Sequence, residues 1–464
     1  MKRKLFLKEK YAKTGSFLKK KVLALMGGAV FFLFLMVTSG TVEAIPSYAR
    51  QTGLSCEACH TVFPELTAFG RQFKLNGYTL TGIKTINQPR ETKKKNSESK
   101  VLNLLSISPL SAMFQTGFTH VNTTIPETQN NNVEFPQQLS LFYGGQIAPH
   151  LGAFIQMTLD GSGAFGLDNT EFRYANQTKG KLPFTYGFII NNNPTMQDVW
   201  NTTPAWGFPY TSSGVAPTPG WAPLITDMGG MVAGLGGYGL INNLVYFEFT
   251  GYGTAQLGIN MPPDASVEGA VKGIAPYWRL ALQHQWTKSY LSAGTYGMST
   301  NMYPSGISGL TDKYNDYGFD LQFEQTFSKG QFTLHTTYIT EKQTLSASYD
   351  AGDSQNKSNT LNMFKIDGSI YLKAGVNFTL GYFNTTGSAD DGLYAPGDME
   401  GSKAGVPNSS GTLIQVDYLP WVNTKISLQY VAYGKFNGSK TDYDGAGRNA
   451  SDNNSIYLQF WFLF

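Results

Sequence analysis

Apolar and polar residues alternate in short segments along the chain from residue 101 to the C terminus, and no long helical pattern interrupts them. In the last segment, residues 456–464, an apolar residue stands at every second position and the chain ends on Phe464. Side chains two residues apart share one face of a strand, so this segment predicts a strand with a lipid-facing side and a terminal aromatic residue typical of outer-membrane barrels. Similar segments precede it at residues 139–147, 153–159, 184–190, 244–252, 277–286, 317–327, 332–339, 364–372, 376–383, 413–419 and 426–433.

The connections between these segments alternate between very short and long. The short links lie at residues 148–150, 241–243, 287–289, 328–330, 373–374 and 420–422, and the long ones at 192–228, 342–360, 385–410 and 434–453. Outer-membrane barrels show this asymmetry, with short periplasmic turns and long external loops. A soluble β-sandwich is the alternative, but it would keep neither the alternation nor the terminal aromatic strand. We therefore predict an all-β fold for residues 101–464, an outer-membrane β-barrel of about 16 antiparallel strands.

The N terminus carries an export signal. Nine basic residues within positions 1–21 are followed by an apolar run at 22–37, and Val42-Glu43-Ala44 gives a small-x-small cleavage pattern, which predicts a signal peptide over residues 1–44. The whole chain has 35 basic and 32 acidic residues, and without residues 1–44 these numbers become 26 and 30, a net charge of −4. No basic stripe remains, which argues against a nucleic-acid partner.

Cys56-Glu57-Ala58-Cys59-His60 contains both cysteines of the chain. A C-x-x-C-H run is the attachment signal of haem c: two thiols form thioethers and the histidine reaches one axial face of the iron. A thioredoxin-like redox pair would need a βαβ context, half a zinc site would need further Cys or His nearby, and a simple disulfide leaves His60 unexplained. We therefore predict one covalent haem c on Cys56 and Cys59, with His60 as the proximal iron ligand.

The haem motif lies in a short segment at residues 45–86, which a charged linker at 87–100 connects to the barrel. About forty residues are too few to bury an independent core without help. Phe63, Leu66, Phe69 and Phe73 follow the motif at helical spacing, so one helix face offers apolar side chains to the haem and to a wall. We expect a small helical haem segment that plugs the barrel lumen from the periplasmic side.

The motif itself does not determine the other contacts of a haem. Arg50 and Arg71 flank the motif and are candidates to pair with haem propionates, since the planar guanidinium suits a carboxylate. No His or Met lies between Thr61 and Ala112, so a sixth iron ligand would come from the barrel or the position is open. The candidates for that ligand are Met113, His120, Met157, His284 and His335.

Three stretches of the haem segment carry a family resemblance. These stretches are IPSYARQTG at 45–53, CEACH at 56–60 and FPELTAFGRQFKLNGY at 63–78. Together they resemble the fused cytochrome–porin family, which is associated with Fe(II) oxidation at the outer membrane of iron-oxidising bacteria. Residues 192–198 and 204–210 are similar to the barrel of that family, and the low charge is similar to that of its members from acidophilic leptospirilla. The resemblance implies a monohaem Fe(II) oxidase that passes electrons to a soluble periplasmic c-type cytochrome.

A long loop between two of the predicted strands is a candidate docking place for Fe(II). Asp390, Asp391, Asp398 and Glu400 lie in one long external loop, where hard oxygen ligands would attract Fe(II); a solvated acidic loop is the alternative. The leading expectation is an oxidoreductase that takes electrons from extracellular Fe(II). A porin with a structural or sensing haem, or a conduit that exports electrons, has the same parts.

Overall fold

The computed structural model describes most of the chain. Of the predicted regions, the signal peptide at 1–44, the linker at 87–100, the ends of the haem segment and Asp398 lie outside the described residues. The described ranges are 47–80, 109–124, 128–178, 180–255, 269–304, 306–397, 399–421 and 423–464.

Among the described residues, helices are few and short, and three of them lie in the haem segment. They are α1 (Ser47–Thr52), α2 (Cys56–Cys59), α3 (Ala68–Leu75) and α4 (Ser346–Ala351), with single 3-10 turns at Pro204–Trp206, Leu224–Thr226 and Ala450–Asn453. In the described part of the chain, no helix is both long and apolar enough to cross a membrane.

Strands make up most of the fold. Their bounds are β1 Leu110–Val121, β2 Asn131–Ala148, β3 Leu151–Asp160, β4 Phe165–Thr178, β5 Phe184–Asn191, β6 Val232–Ile241, β7 Val245–Thr254, β8 Ala270–Val271, β9 Ala275–Gln285, β10 Ser289–Tyr303, β11 Asp312–Phe327, β12 Gly330–Thr344, β13 Ser358–Leu372, β14 Val376–Gly387, β15 Ser409–Trp421, β16 Thr424–Lys435 and β17 Ser455–Leu463.

The strands close into one antiparallel barrel. Each long strand pairs with its neighbour in sequence, and β1 pairs with β2 on one side and with β17 on the other, with Met113 opposite Leu463. Strand β8 is a two-residue extension beside β10, so the wall consists of sixteen long strands. Every strand segment predicted from the apolar alternation falls on one of them, and none extends more than one residue beyond its strand. The predicted fold class is confirmed.

The two faces of the wall differ as a membrane barrel requires. Along β11, Asp316, Asp320 and Glu324 are buried on the lumen side, whereas the intervening Phe319 is 58% exposed and faces outward. The same outward apolar positions recur around the barrel. An outward apolar surface on a closed antiparallel barrel places the protein in the outer membrane.

The ends of the barrel also differ as predicted, with one correction. Turns such as 149–150 and 328–329 are short, and the opposite end carries the long loops. The loop at 192–228, however, is not an exposed external loop: Met196, Val199 and Trp200 are each at most 1% exposed. Folding inward removes these side chains from water, so this lumen loop (residues 192–228) enters the barrel interior. Part of residues 212–222 stays exposed, including Val215 at 41%.

Candidate functional site

The described haem segment, residues 47–80, lies in the lumen and is called the plug below. Its hydrogen bonds reach several sides of the wall. Tyr48 Oη donates to the Ala153 carbonyl on β3 at 2.7 Å, and Lys425 Nζ on β16 donates to the Phe63 carbonyl at 3.3 Å. Tyr238 Oη on β6 donates to the Leu75 carbonyl. Ala153 and Lys425 lie within three residues of the short turns, so the plug occupies the end of the barrel that carries these turns, as expected.

Two glycines of the wall make room for the plug. A Cβ on Gly144 of β2 would lie 2.8 Å from Ser47 Oγ, and one on Gly152 of β3 would lie 2.3 Å from the Gly77 carbonyl oxygen. Both distances are shorter than a carbon contact tolerates. The plug therefore sits directly against the backbone of β2 and β3.

The C-x-x-C-H motif is held by the helix that follows it. Thr67 caps α3 by accepting from Gly70 N at 3.2 Å, and its Oγ1 donates to the Ala58 carbonyl at 2.6 Å. A Cβ on Gly70 would lie 2.2 Å from the Cys59 carbonyl oxygen. The threonine cap and the missing side chain of Gly70 thus bring α3 into contact with the motif.

Cys56, Cys59 and His60 all line a single lumen cavity of about 500 Å³, which is within the ~300–1,000 Å³ typical of cofactor pockets. The two thiols are not joined in a disulfide. Burial raises the pKa of Cys59 to about 11 and also raises that of Cys56, so both are neutral thiols in the structure. Aromatic side chains supply much of the remaining wall: Phe63, Phe73, Phe142, Phe154, Trp206 and Trp461.

His60 has the arrangement that an iron-binding imidazole needs. Its Nδ1 lies 3.2 Å from the Glu65 carbonyl oxygen, and its ring packs on Phe63 with a centroid distance of 5.0 Å. Burial lowers the pKa of His60 to about 4, although its backbone hydrogen bonds oppose that shift. The imidazole is therefore neutral, and a proton on Nδ1 leaves the Nε2 lone pair available as a ligand.

These residues fit a covalently held haem c. Two free thiols, a neutral histidine with an oriented ring and an aromatic wall share one cavity. Cys56 and Cys59 would form the thioethers, and His60 would hold the iron from one side.

The structure gives Arg71 a partner other than the predicted propionate. Its Nη2 lies 3.2 Å from Glu324 Oε2, its Nη1 also contacts Glu324, and its guanidinium lies 4.0 Å above the Tyr290 ring. Arg71 does not line the cavity, because this buried pair turns it toward β11. Arg50 donates to the Leu110 carbonyl at the start of β1, and its propionate contact stays a prediction.

Of the five candidate sixth ligands, Met113 alone lines the cavity. His120 contacts Asn131 at 2.9 Å on the loop side, and His284 is exposed beside Trp286. Met157 follows Gln156, which lines the cavity, and consecutive side chains of a strand point to opposite faces. Met157 therefore lies on the outer side of β3. His335 is buried elsewhere in the lumen, where its Nδ1 lies 3.0 Å from Asp367 Oδ2.

The acidic loop is organised around Asp390, which is only 2% exposed. Its carboxylate accepts hydrogen bonds from Ser354 Oγ, Asn359 Nδ2 and the backbone N–H groups of 355, 356, 392 and 393. Asp391 and Glu400 are exposed. Within the described residues, no group of three or more His, Cys, Asp or Glu is placed to hold a metal ion. Asp390 thus stabilises its loop rather than facing solvent.

Sequence reasoning did not place the lumen loop at the site. Asn201, Trp206 and Tyr210 of this loop line the cavity, and Asp198 anchors it through Arg279 Nη2 at 3.8 Å. The available signal was the concentration of apolar and aromatic residues in a segment that otherwise resembles an external loop. The resemblance had marked residues 192–198 and 204–210 without locating them.

Comparison with known proteins gives similarity at the level of architecture. No protein family and no curated protein matches the chain. Among solved structures, Salmonella typhi OmpF in complex with daunomycin is 11% identical with a TM-score of 0.45, covering 76% of this chain and 97% of that chain. The anion-selective porin from Comamonas acidovorans is 11% identical with a TM-score of 0.44, covering 76% and 98%. The Vibrio cholerae outer-membrane protein OmpT with loop L8 deleted is 11% identical with a TM-score of 0.41, covering 76% and 98%.

Proposed function

We propose that the protein takes electrons from extracellular Fe(II) at a haem c covalently held in the lumen and passes them to a periplasmic c-type cytochrome. The observation that carries the proposal is the position of Cys56, Cys59 and His60 on one cavity inside an outer-membrane barrel. The family resemblance of residues 45–78 supplies the substrate and the direction of electron flow.

A haem bound here would supply one-electron chemistry inside an insulating membrane. Each Fe(II) oxidised outside the cell gives up one electron, and the resulting Fe(III) stays outside. The residues of the chain would bind, orient and shield the haem. Cys56 and Cys59 attach the group, His60 is oriented by the Glu65 carbonyl, and Phe63 and Trp461 exclude water. An outer-sphere reaction of this kind needs no tight Fe(II) site.

The test is direct reduction by the substrate. Purified oxidised protein is mixed anaerobically with Fe(II) in a stopped-flow spectrometer, and we expect full haem reduction without a mediator. His60→Ala should lose this reduction even where the thioethers have formed, because the iron has lost its proximal ligand. A wild-type haem that stays oxidised under excess Fe(II) at the growth pH of the organism would defeat the assignment.

A porin or a general electron conduit is the second candidate, and the barrel architecture itself favours it. Sixteen strands enclose a lumen wide enough for a channel, but the plug and the lumen loop occupy part of that space. Swelling of protein-containing liposomes in small sugars separates the candidates. Rapid swelling together with a haem that Fe(II) does not reduce would favour the porin. A low midpoint potential would favour electron export.

A further inference from the structure

Met113 is placed on the wall of the haem cavity. It lies on the lumen face of β1, is 3% exposed, and belongs to an apolar cluster with Cys56, Phe63 and Trp461. The thioether therefore shares the cavity with both thiols and with His60. It comes from the barrel, whereas the other three groups come from the plug.

The charged groups on the cavity wall are engaged elsewhere. Lys74 Nζ donates to the Met196 and Asp198 carbonyls, both at 2.7 Å. The Asp198 carboxylate pairs with Arg279 and accepts from three backbone N–H groups of its own loop. Asp168 accepts from Thr158 Oγ1 at 3.2 Å and from Asn169 N at 2.8 Å. Each of these atoms would have to break existing bonds to bind iron.

The phenols on the wall are unsuited to coordination for a different reason. A phenol binds haem iron as the phenolate. Burial raises the pKa of Tyr48, Tyr78 and Tyr210 well above that of a free phenol, so all three keep their protons. Tyr48 and Tyr78 also donate to Ala153 O and Glu171 Oε2. After His60, the thioether of Met113 is the soft, neutral ligand that this wall offers.

A chain of amides holds the Met113 sulfur. Gln115 Nε2, on the same face of β1, donates to Met113 Sδ at 3.2 Å. Gln459 Nε2 on β17 donates to Gln115 Oε1 at 2.8 Å, and Thr211 Oγ1 of the lumen loop donates to Gln459 Oε1 at 3.0 Å. Partners beyond the first ligand are what orient and tune a metal ligand.

We propose that Met113 Sδ would be the second protein ligand of the haem iron, together with His60. The inference rests on the proposed haem c and adds a ligand from the barrel wall to a cofactor held covalently by the plug. Methionine–histidine ligation raises a haem potential, which is the direction needed to accept electrons from Fe(II). Gln115 is then a positioning residue that acts through the sulfur.

The experiment compares ferric absorption spectra and midpoint potentials of the full-length holoprotein and two variants. Wild type should be low-spin and show the long-wavelength charge-transfer band of methionine-ligated ferric haem. Met113→Leu should lose the band, become high-spin and shift its potential downward. Met113→His should restore a low-spin haem without the band and with a still lower potential. Met157→Leu removes a methionine from the outer side of β3, and its spectrum should match wild type.

Haem staining of denatured protein separates failure of this inference from failure of the proposed function. A wild-type chain without covalent haem would defeat both. A wild-type chain with covalent haem but no methionine band, or a Met113→Leu spectrum identical to wild type, would overturn Met113 ligation and leave the haem assignment standing. If Met113→Leu does not fold, the spectrum of Met113→His decides in the same way.

Discussion

At the scale of single residues, the plug is attached to the barrel through charged groups that find their partners inside the lumen. Arg71 pairs with Glu324 of β11, and Lys74 donates to two carbonyls of the lumen loop. A buried charge is costly unless it is paired and hydrogen-bonded. These contacts therefore position the plug more than they add net stability. Removing one partner of a pair should lower the stability of the plug more than removing both partners, because it leaves a buried group without its partner.

The thiols are the first residues to test. Cys56→Ala and Cys59→Ala should each abolish the stable holoprotein while the barrel still inserts, because neither thiol pairs with another residue to hold the fold. Haem staining after denaturation and heat-modified mobility in gels report the two properties separately. Covalent haem that persists in both variants would refute the attachment.

The Arg71–Glu324 pair offers a second test. Arg71→Met leaves the Glu324 carboxylate buried without its partner and should lower plug stability by about 3–5 kcal/mol, seen as faster amide hydrogen exchange in residues 47–80. Adding Glu324→Gln removes the uncompensated charge and should recover much of that loss. Equal exchange in the single and the double variant would contradict this account.

At the scale of elements, the strand pattern could be predicted because one face of each strand meets lipid. Alternation located segments such as 364–372, whereas β6 (Val232–Ile241) was not singled out because glycines replace side chains at its Gly234, Gly236, Gly237 and Gly239. The motif residues could likewise be named from spacing. Three features depend on contacts across the barrel, and local sequence does not encode such contacts. They are the approach of Met113 to the motif, the Arg71–Glu324 pair and the inward lumen loop.

The lumen loop should resist proteolysis on intact cells. Trp200 is 1% exposed, whereas Lys403 in the loop between β14 and β15 carries a side chain that is 58% exposed. Proteinase K should therefore cleave within residues 385–410 and spare residues 192–211, none of which is exposed. The turns at 241–243 and 328–330 should also be protected. Mass spectrometry of the fragments identifies the cleavage sites. Denatured protein is the control, and it should be cleaved in both loops. Early cleavage within 192–211 would place that part of the loop outside.

The loop that contains Asp390 should persist in acid. Burial alone would raise the pKa of Asp390, but the hydrogen bonds from Gln355 N, Ser354 and Asn359 lower it below its usual value. A carboxylate with a depressed folded pKa stabilises the loop above the unfolded pKa of about 3.9, and this contribution is lost only as pH falls through the lower folded value. The protection factors of the amides in residues 388–397, which correct for the intrinsic pH dependence of exchange, should thus change little between pH 7 and pH 4. In Asp390→Asn, the amides of this loop should be less protected from exchange at every pH between 7 and 4. Protection equal to that of the wild type would contradict the stabilising role of Asp390.

At the scale of the whole molecule, the barrel and the plug form one closed structure. The lumen loop lies between them: Lys74 of the plug binds its backbone, Arg279 of β9 binds its Asp198, and Glu341 of β12 accepts from its Leu224 N. In this arrangement the plug and the lumen loop occupy part of the space that free diffusion through the lumen would need. How firmly the plug is held therefore determines whether the lumen conducts. Conduction is what separates passive transport from the proposed electron transfer.

Lys74→Met tests that question with the full-length chain. The methionine keeps the apolar stem of the side chain but leaves the Asp198 carbonyl without its Lys74 donor, and an unsatisfied buried group costs about 1–3 kcal/mol. The Met196 carbonyl keeps its second donor, Trp206 Nε1 at 2.6 Å. The cation contact of Lys74 Nζ with the Trp206 ring, 4.8 Å away, is lost as well. In planar bilayers, wild type should conduct poorly, and Lys74→Met should show more frequent and larger openings. Lys403→Met is the matched control, because its exposed pair with Asp442 is worth only about 0–1 kcal/mol. Large, steady conductance in the wild-type protein would instead mean that the lumen is open with the plug in place, and would favour a porin.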